Sequence, residues 1–403
     1  MKQIRPTSAE INLAMLSHNL KQIRKYMSAT QYLCPMVKAN AYGHGDISVA
    51  RHLEQEGVQV MGVGLVEEGI LLRQNKISAD ILFFGMFDQS RDAELIVQHR
   101  LIPVLSSWDE IRCLEQVCSP KYPVQLKFDT GMHRLGFSLS EIKKLVGHFQ
   151  NSSLVVQGIL THLHTAENAN DLQASSFEQL RLFQEAEKAF RSSQNKTVVS
   201  HTLNSAGWMR WVGLKESGKM KSLPHGISRE QGVRPGLALY GVSPWSTDQS
   251  LPANQNRSEL LDLHPVLSLK SRTIKYHLLT RGEGVSYNTT WKASQDSVIA
   301  VVPMGYADGY HRLLSNRGVA LFRGERVPVV GNVCMDYLMI DITRTLRAGE
   351  LADSLKSEPV TLLGMDECGL QISANELAAS AQTIPWEILT SIGERVPRVE
   401  VNS

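Results

Sequence analysis

Val37-Lys38-Ala39-Asn40-Ala41-Tyr42-Gly43-His44-Gly45, preceded by the apolar run Tyr32-Leu33-Cys34-Pro35-Met36, is the stretch from which the fold is read. A short apolar run that stops at a lysine and then turns through small residues is the pattern of a buried strand delivering one amine to its C-terminal end. In α/β folds that end is where the chemistry is kept. A lysine there can lose its proton to desolvation and form a Schiff base with a carbonyl, although a solvated strand cap has the same residue pattern. Gly43-His44-Gly45 matches neither the dinucleotide-binding fingerprint nor the phosphate loop ending in Gly-Lys-Ser/Thr, so by residue type it is a turn.

On either side of this stretch, strand and helix patterns alternate. Residues 7–12 read as extended, and Leu13, Leu16, Leu20 and Ile23 recur at helical spacing. Strands are expected over 33–37, 60–64, 81–84, 102–105, 124–128, 156–161, 197–200 and about 232–236, mostly separated by amphipathic segments such as 47–55 and 177–190. Eight such alternations predict an α/β protein built on a (β/α)8 TIM-type barrel; an open doubly wound sheet has the same local pattern and differs only in strand count. Lys38, Asp129, His162, Asn204 and Arg234 fall at or just after expected strand ends, where barrels carry functional side chains. The segment 214–232, rich in Lys, Ser, Gly and Pro, reads as a surface excursion of no legible role.

After Gly241 the texture changes to a polar Pro/Ser/Asn linker over 243–258. Beyond it, short strands over 266–269, 297–302, 318–322, 327–330, 338–342 and 360–363 alternate with turn clusters, and only 373–381 and 385–391 look helical. The expected division is therefore a barrel with its N-terminal segment over 1–258 and a mainly β domain over 259–403. A length of 403 residues is ample for two cores.

Composition narrows the partners. Forty-two basic against forty acidic residues leave a net charge of +2, too little to attract nucleic acid or an anionic membrane, which favours a small-molecule substrate. Five cysteines, at 34, 113, 118, 334 and 368, are an odd number with no Cys-x-x-Cys pair, which argues against a disulfide framework and a zinc site. The N-terminus opens no apolar signal region and no apolar run reaches membrane length, so a cytoplasmic protein is expected. His162-Leu163-His164 could supply half a metal site, but no acidic cluster accompanies it, and no metal is expected.

The nine residues from Val37 to Gly45 resemble the pyridoxal phosphate (PLP) attachment signature of bacterial alanine racemases. Further similarity runs in family order through Lys127-Phe128-Asp129-Thr130-Gly131-Met132-His133-Arg134-Leu135-Gly136, Thr161-His162, Asn204-Ser205, Val233-Arg234-Pro235-Gly236, Val285-Ser286-Tyr287, Gly305-Tyr306-Ala307-Asp308-Gly309 and Cys334-Met335-Asp336. The resemblance implies a PLP-dependent isomerase that interconverts L- and D-alanine and supplies the D isomer for peptidoglycan. It also implies a homodimer in which the β domain of one chain closes over the barrel mouth of the other.

Racemisation requires a proton to leave one face of a planar carbanion and return on the other, hence two acid/base groups on opposite sides. The resemblance gives these roles to Lys38 on the D face and Tyr287 on the L face. A phenol with a pKa of roughly 10 is a poor base unless cationic or donor neighbours favour phenolate; His162 and Arg234 resemble the family's chain from that tyrosine to the pyridine nitrogen. A guanidinium there donates without handing over a full proton, which weakens the electron sink and limits transamination. Phosphate contacts are expected from Tyr42, Ser205 and the amides of Gly236 and Leu237. Arg134, helped by the Met335 amide, is expected to face the substrate carboxylate.

By the same resemblance, Lys127 occupies a position at which family members often carry a carbamylated lysine, though a solvent-facing strand lysine has the same signature. Tyr306 is expected near the entrance. Two departures stand out: Glu394 occupies a spot where some members have a tyrosine on the phosphate, and His133 is bulkier than the glycine associated with its position. The rival readings are a broader-specificity racemase, a decarboxylase of the same two-domain plan, and a non-catalytic PLP carrier, from which the β domain and Tyr287 separate this chain.

Overall fold

The computed structural model describes residues 5–166, 175–193, 198–216, 231–245, 261–346 and 357–401. Strand β1 (Ser8–Asn12) buries Ala9 and Ile11 on one face. Asn12 then ends the strand and caps the helix Leu13–Lys25, its side chain accepting from the Met15 amide at 3.1 Å. The periodic Leu13, Leu16, Leu20 and Ile23 form the buried stripe of that helix, as their spacing requires.

Seven further strands, β2 (Val60–Val63), β3 (Asp80–Phe83), β4 (Ile102–Leu105), β5 (Tyr122–Lys127), β6 (Leu154–Leu160), β7 (Val199–Leu203) and β8 (Gly232–Val233), pair in parallel and in chain order. The segment expected as the strand before Lys38 closes the ring. Cys34 and Met36 donate to the carbonyls of Val233 and Pro235, both at 2.9 Å, while Val37 donates to Gly62 and Gly62 to Pro35, both at 2.8 Å. Only Leu33–Val233 and Met36–Gly62 register as bridges. Pro35 has no N–H, so one rung toward β2 cannot form and the first barrel strand stays a pair of bridges instead of a ladder. Closure decides for the barrel against the open sheet. Strand β7 runs to Leu203, later than the expected 197–200, and β8 stops before Pro235.

The second module is mainly β. One sheet runs Glu325–Pro328, Val319–Phe322, Pro359–Met365, β9 (Leu267–Arg272), β1 and Arg398–Val401, and a second pairs Lys275–Leu279, Ser297–Val302 and Leu338–Asp341. The N-terminal strand, grouped by sequence with the barrel, lies antiparallel to β9 and parallel to Arg398–Val401. A five-residue alternating strand carries no local mark of its partner, so its sheet is set by tertiary pairing alone. The bulk of the expected excursion, 217–230, and the linker over 246–258 lie outside the described residues. Among the described residues no helix is long and apolar enough to cross a membrane, and all five cysteines are free.

Candidate active site

After Val37 the chain leaves the barrel through a turn in which Ala39, Asn40, Ala41 and Tyr42 all adopt left-handed backbone angles, with φ between 51° and 53°. For residues with a Cβ this costs about 1–2 kcal/mol each, so the turn exists only because its surroundings fix it. Glu68 accepts from the Ala39 amide at 2.6 Å and from Gly64 and Leu65 at 2.7 and 3.0 Å. The Asn40 side chain accepts from the Asp46 amide at 2.9 Å, and Arg398 donates to the Gly43 carbonyl at 3.0 Å. Glu68 was not legible as a site residue, because a glutamate early in a helix has the ordinary role of a cap.

The turn opens onto a cavity of about 750 Å³ at the C-terminal ends of the barrel strands, which gathers Lys38, Tyr42, Lys127, Arg134, His162, Ser205, Arg234, Gly236 and Leu237. Lys38 is walled by protein yet reached by solvent through the open mouth. Burial and the Arg134 charge lower its pKa, and Glu68 partly opposes them. Lys127, almost fully buried, is pushed down to about 8 by desolvation and by Arg134 and Arg234, with Asp129 opposing and Lys38 adding to the effect. His162 is held neutral by burial and by the cations Arg234, Lys127, Arg134 and Lys38. No hydrogen bond or ion pair to Arg134 forms among the described residues, which leaves a guanidinium uncommitted at the cavity wall.

At the floor of the cavity Arg234 is buried, and both of its terminal nitrogens are bonded within the protein. It donates to His201 Nδ1 at 2.9 Å, to the His201 carbonyl, and to the Thr161 and Thr202 carbonyls at 2.7 and 3.4 Å. Burial lowers its pKa to about 10, so it remains a cation at neutral pH. His201 passes its own Nε2 proton toward Gln125 Oε1 at 2.5 Å, and Gln125 donates to the Tyr32 hydroxyl at 3.2 Å. Arg234 thus bonds His201, a histidine that the sequence reading did not name, while His162 lines the same cavity and feels the Arg234 charge. The strand alternation that places His201 inward on β7 was the available signal.

The loops after the seventh and eighth barrel strands form an anion cradle. Ser205 Oγ accepts from the Gly236 and Ala238 amides at 2.9 and 3.2 Å, which leaves its own proton to donate. A Cβ on Gly236 would lie 2.5 Å from the Tyr42 hydroxyl, so only glycine lets the backbone and the phenol converge there. Burial raises the Tyr42 pKa and keeps it a donor. Donors of this kind after the last two strands are where barrels bind phosphate, and they fit a phosphorylated cofactor. Glu394 is exposed and absent from the cavity wall, where Trp386, Ile384 and Thr390 stand; Trp386 and Thr390 were missed as residues of a generic helix and Ile384 as the residue before it.

Other expected residues are not brought together with these. Tyr287, Met335 and Tyr306 are 69%, 53% and 41% exposed and lie on the β module, outside the cavity. Tyr287 is held out on a turn whose neighbours Ser286, Asn288 and Thr289 all have positive φ, braced by Asn332 donating to the Tyr287 carbonyl at 2.7 Å. His133 also has a left-handed φ of 52° and faces Asp129, whose carboxylate collects the Gly131, Met132 and His133 amides; it does not narrow the cavity.

The buried histidines make acid stability a test of this interior. His44 is held down to about 4 by burial despite its bonds to the Ala41 and Tyr42 carbonyls, and His162 and His201 are lowered in the same direction. A histidine that protonates near 6.5 when unfolded but resists protonation when folded makes the unfolded state bind more protons as pH falls. Stability is thus full above about 6.5 and is lost toward 4, each such histidine withdrawing up to about 1.4 kcal/mol per pH unit. Urea unfolding between pH 7 and 5 is expected to show a slope steeper than one proton and shallower in His201→Gln; a flat profile contradicts neutral burial.

A closed barrel with a lysine at the end of its first strand, an anion cradle at its last two and a β module presenting a tyrosine defines a two-domain barrel enzyme of the type that holds a phosphorylated cofactor. The comparisons give the particular family. Residues 11–244 match the family described as alanine racemase, N-terminal domain, and residues 266–400 match alanine racemase, C-terminal domain. An alanine racemase of Sorangium cellulosum is 38% identical over 407 residues, covering 98% of this chain and 99% of that one, and one of Halothermothrix orenii is 34% identical over 98% and 96%. Among solved structures, alanine racemase of Clostridium difficile superposes with a TM-score of 0.83 at 28% identity over 100% and 97% of the two chains. Alanine racemase of Bartonella henselae with covalently bound pyridoxal phosphate gives 0.77 at 26% identity over 98% and 99%. The chain belongs to the alanine racemase family.

Proposed function

We propose that this isomerase interconverts L- and D-alanine with PLP held by Lys38, the reading carried above all by the cavity that joins Lys38 to the Ser205, Gly236 and Tyr42 cradle. Family membership supports the reaction, and the covalently bound cofactor of the Bartonella henselae relative supports the lysine attachment. When bound, PLP supplies an electron sink for the bond from the α-carbon to its proton. Tyr42, Ser205 and the Gly236 and Leu237 amides would hold the phosphate, and Arg234 would lie toward the ring nitrogen. Arg134 would take the substrate carboxylate, aided by the Met335 amide from the β module.

Lys38 and Tyr287 are the two acid/base groups, each serving one face of the α-carbon, with His162 kept neutral in the cationic cavity as support. Because Tyr287 stands exposed and outside its own chain's cavity, the working site is shared between two chains of a homodimer, and Tyr306 borders its entrance. Lys127, with its pKa near 8, presents enough neutral amine for carbon dioxide to form a carbamate. Isotope-labelled bicarbonate is then expected to give a carbamate resonance that Lys127→Ala lacks; an unchanged spectrum refutes the modification. Five free cysteines fit a cytoplasmic enzyme supplying D-alanine for peptidoglycan. We further divide the chain near 258, with β1 lent to the sheet of the second unit.

Borohydride reduction of the purified protein is expected to fix cofactor mass on the peptide carrying Lys38, and pure L-alanine to yield the D isomer in a stereospecific oxidase assay. Label on another peptide refutes the Lys38 assignment. Turnover of larger amino acids at comparable rates would favour the broader-specificity racemase, since one methylene in a pocket is worth only about 1–3 kcal/mol.

A further inference from the structure

Outside the cavity that holds Lys38, three side chains of metal-ligating type converge. His18 lies on the helix Leu13–Lys25, and Asp262 and His264 lie on the segment that leads into β9. His18 Nε2 is 3.1 Å from Asp262 Oδ2 and 2.8 Å from the Asp262 carbonyl, and His264 Nε2 is 2.9 Å from Asp262 Oδ1. The two imidazoles meet edge to face with centroids 4.9 Å apart. Among the described residues this is the one group of three or more His, Cys, Asp or Glu side chains whose ligand atoms come together, all within 4.8 Å of one another.

We propose that His18, Asp262 and His264 form a site for zinc or another borderline divalent ion, which ties together the two segments that cross between the barrel and the β sheet. Two imidazole nitrogens and one carboxylate suit zinc, nickel or copper and suit magnesium or calcium poorly. With bonds of about 2.0–2.1 Å, the ligand atoms around a tetrahedral zinc stand roughly 3.3 Å apart. Each nitrogen already lies near that separation from one Asp262 oxygen, His18 from Oδ2 and His264 from Oδ1, so with a single oxygen as ligand the wider pairs, all within 4.8 Å, have to draw in by up to about 1.5 Å. The remaining position faces solvent, so water completes the shell.

The backbone of His264 is tied to buried parts of the fold. Asn19, fully buried and next to His18, grips the backbone of His264 from both sides: its Oδ1 accepts from the His264 amide at 2.9 Å and its Nδ2 donates to the His264 carbonyl at 2.8 Å. The same carbonyl packs against Gly241, where a Cβ would lie 1.7 Å from it. Leu261 and Leu263 line a cavity, while Asp262 and His264 show outward, with side-chain exposures of 64% and 39%. Such a site has a buried, hydrogen-bonded rear and an exposed front, which leaves a path for ion entry.

Its place in the topology gives it a consequence. The chain crosses from the β sheet into the barrel at the end of β1, immediately before the helix of His18, and crosses back just after His264 at the start of β9. Strands β1 and β9 pair with each other, so the two crossings run side by side. An ion bound by both joins them and stabilises the folded chain in proportion to its occupancy. Without the ion, both imidazoles donate to the Asp262 carboxylate, and the cluster is then only an exposed hydrogen-bonded network.

Thermal unfolding of the PLP-loaded enzyme, with zinc chloride or magnesium chloride added at micromolar excess, separates these cases. One zinc per chain is expected by equilibrium dialysis, with an upward shift of a few degrees in unfolding temperature that magnesium does not give. His18→Gln and His264→Gln keep a donor for Asp262 but lack the imidazole ligand; both are expected to retain racemase activity and to lose the zinc-dependent shift and the bound ion. Absence of the shift in the parent enzyme, or a shift and stoichiometry that survive His18→Gln, overturns the proposal.

Discussion

Replacing Tyr287 by phenylalanine is expected to lower racemisation in both directions by about 10²–10⁴-fold while leaving solvent deuterium free to enter D-alanine. The asymmetry follows from one group serving each face of the α-carbon. With the phenol gone, nothing delivers a proton to the L face, but Lys38 still removes and returns one on the D face. Fold should survive, because the ring is 69% exposed and its turn is braced through the backbone, by Asn332 donating to the Tyr287 carbonyl and Ser286 donating to the Asn332 carbonyl, both at 2.7 Å. Mass spectrometry of each alanine isomer after incubation in deuterium oxide reads the result. Loss of exchange from both isomers would mean a single base or a collapsed site, and full racemisation would remove Tyr287 from the mechanism.

The second large effect is recovery of activity from two dead chains. Lys38→Ala and Tyr287→Phe, co-expressed with different tags, form mixed dimers beside the two inactive homodimers. Where Lys38 and Tyr287 meet across the interface, a mixed dimer has one site lacking both groups and one site with both, and it should recover about half the specific activity of the parent dimer. Where each chain completes its own site, every site lacks one group and activity stays absent. The structure favours the shared arrangement, because Lys38 lines the cavity while Tyr287 stands outside it on an exposed, strained turn. Tandem purification through both tags isolates the mixed species, so an inactive mixed dimer refutes the shared site.

Much of this architecture was legible before any coordinates. The β/α alternation has a period, and period is a local property: the strands over 60–63, 80–83 and 102–105 and the helix stripe of Leu13, Leu16, Leu20 and Ile23 fall where the apolar pattern puts them. Placement of Lys38, Asp129, His162, Asn204 and Arg234 just past strand ends was equally local. The distinction between barrel and open sheet was less so, since it depends on whether 33–37 meets both β2 and β8, and Pro35 weakens the very strand that does so.

Local neighbours, a few positions away, thus set the elements, the amine at the head of the site and the residue types of the cradle. Which partners those residues meet depends on the folded chain. Folding took β1 into the far sheet, brought His201 to Arg234, set Glu68 against the Lys38 turn, left Tyr287 outside its own chain's cavity and brought His18 to Asp262 and His264. These are contacts between residues tens to hundreds of positions apart. No periodicity encodes them, because they exist only once the barrel has closed and its crossings to the β sheet have been laid side by side.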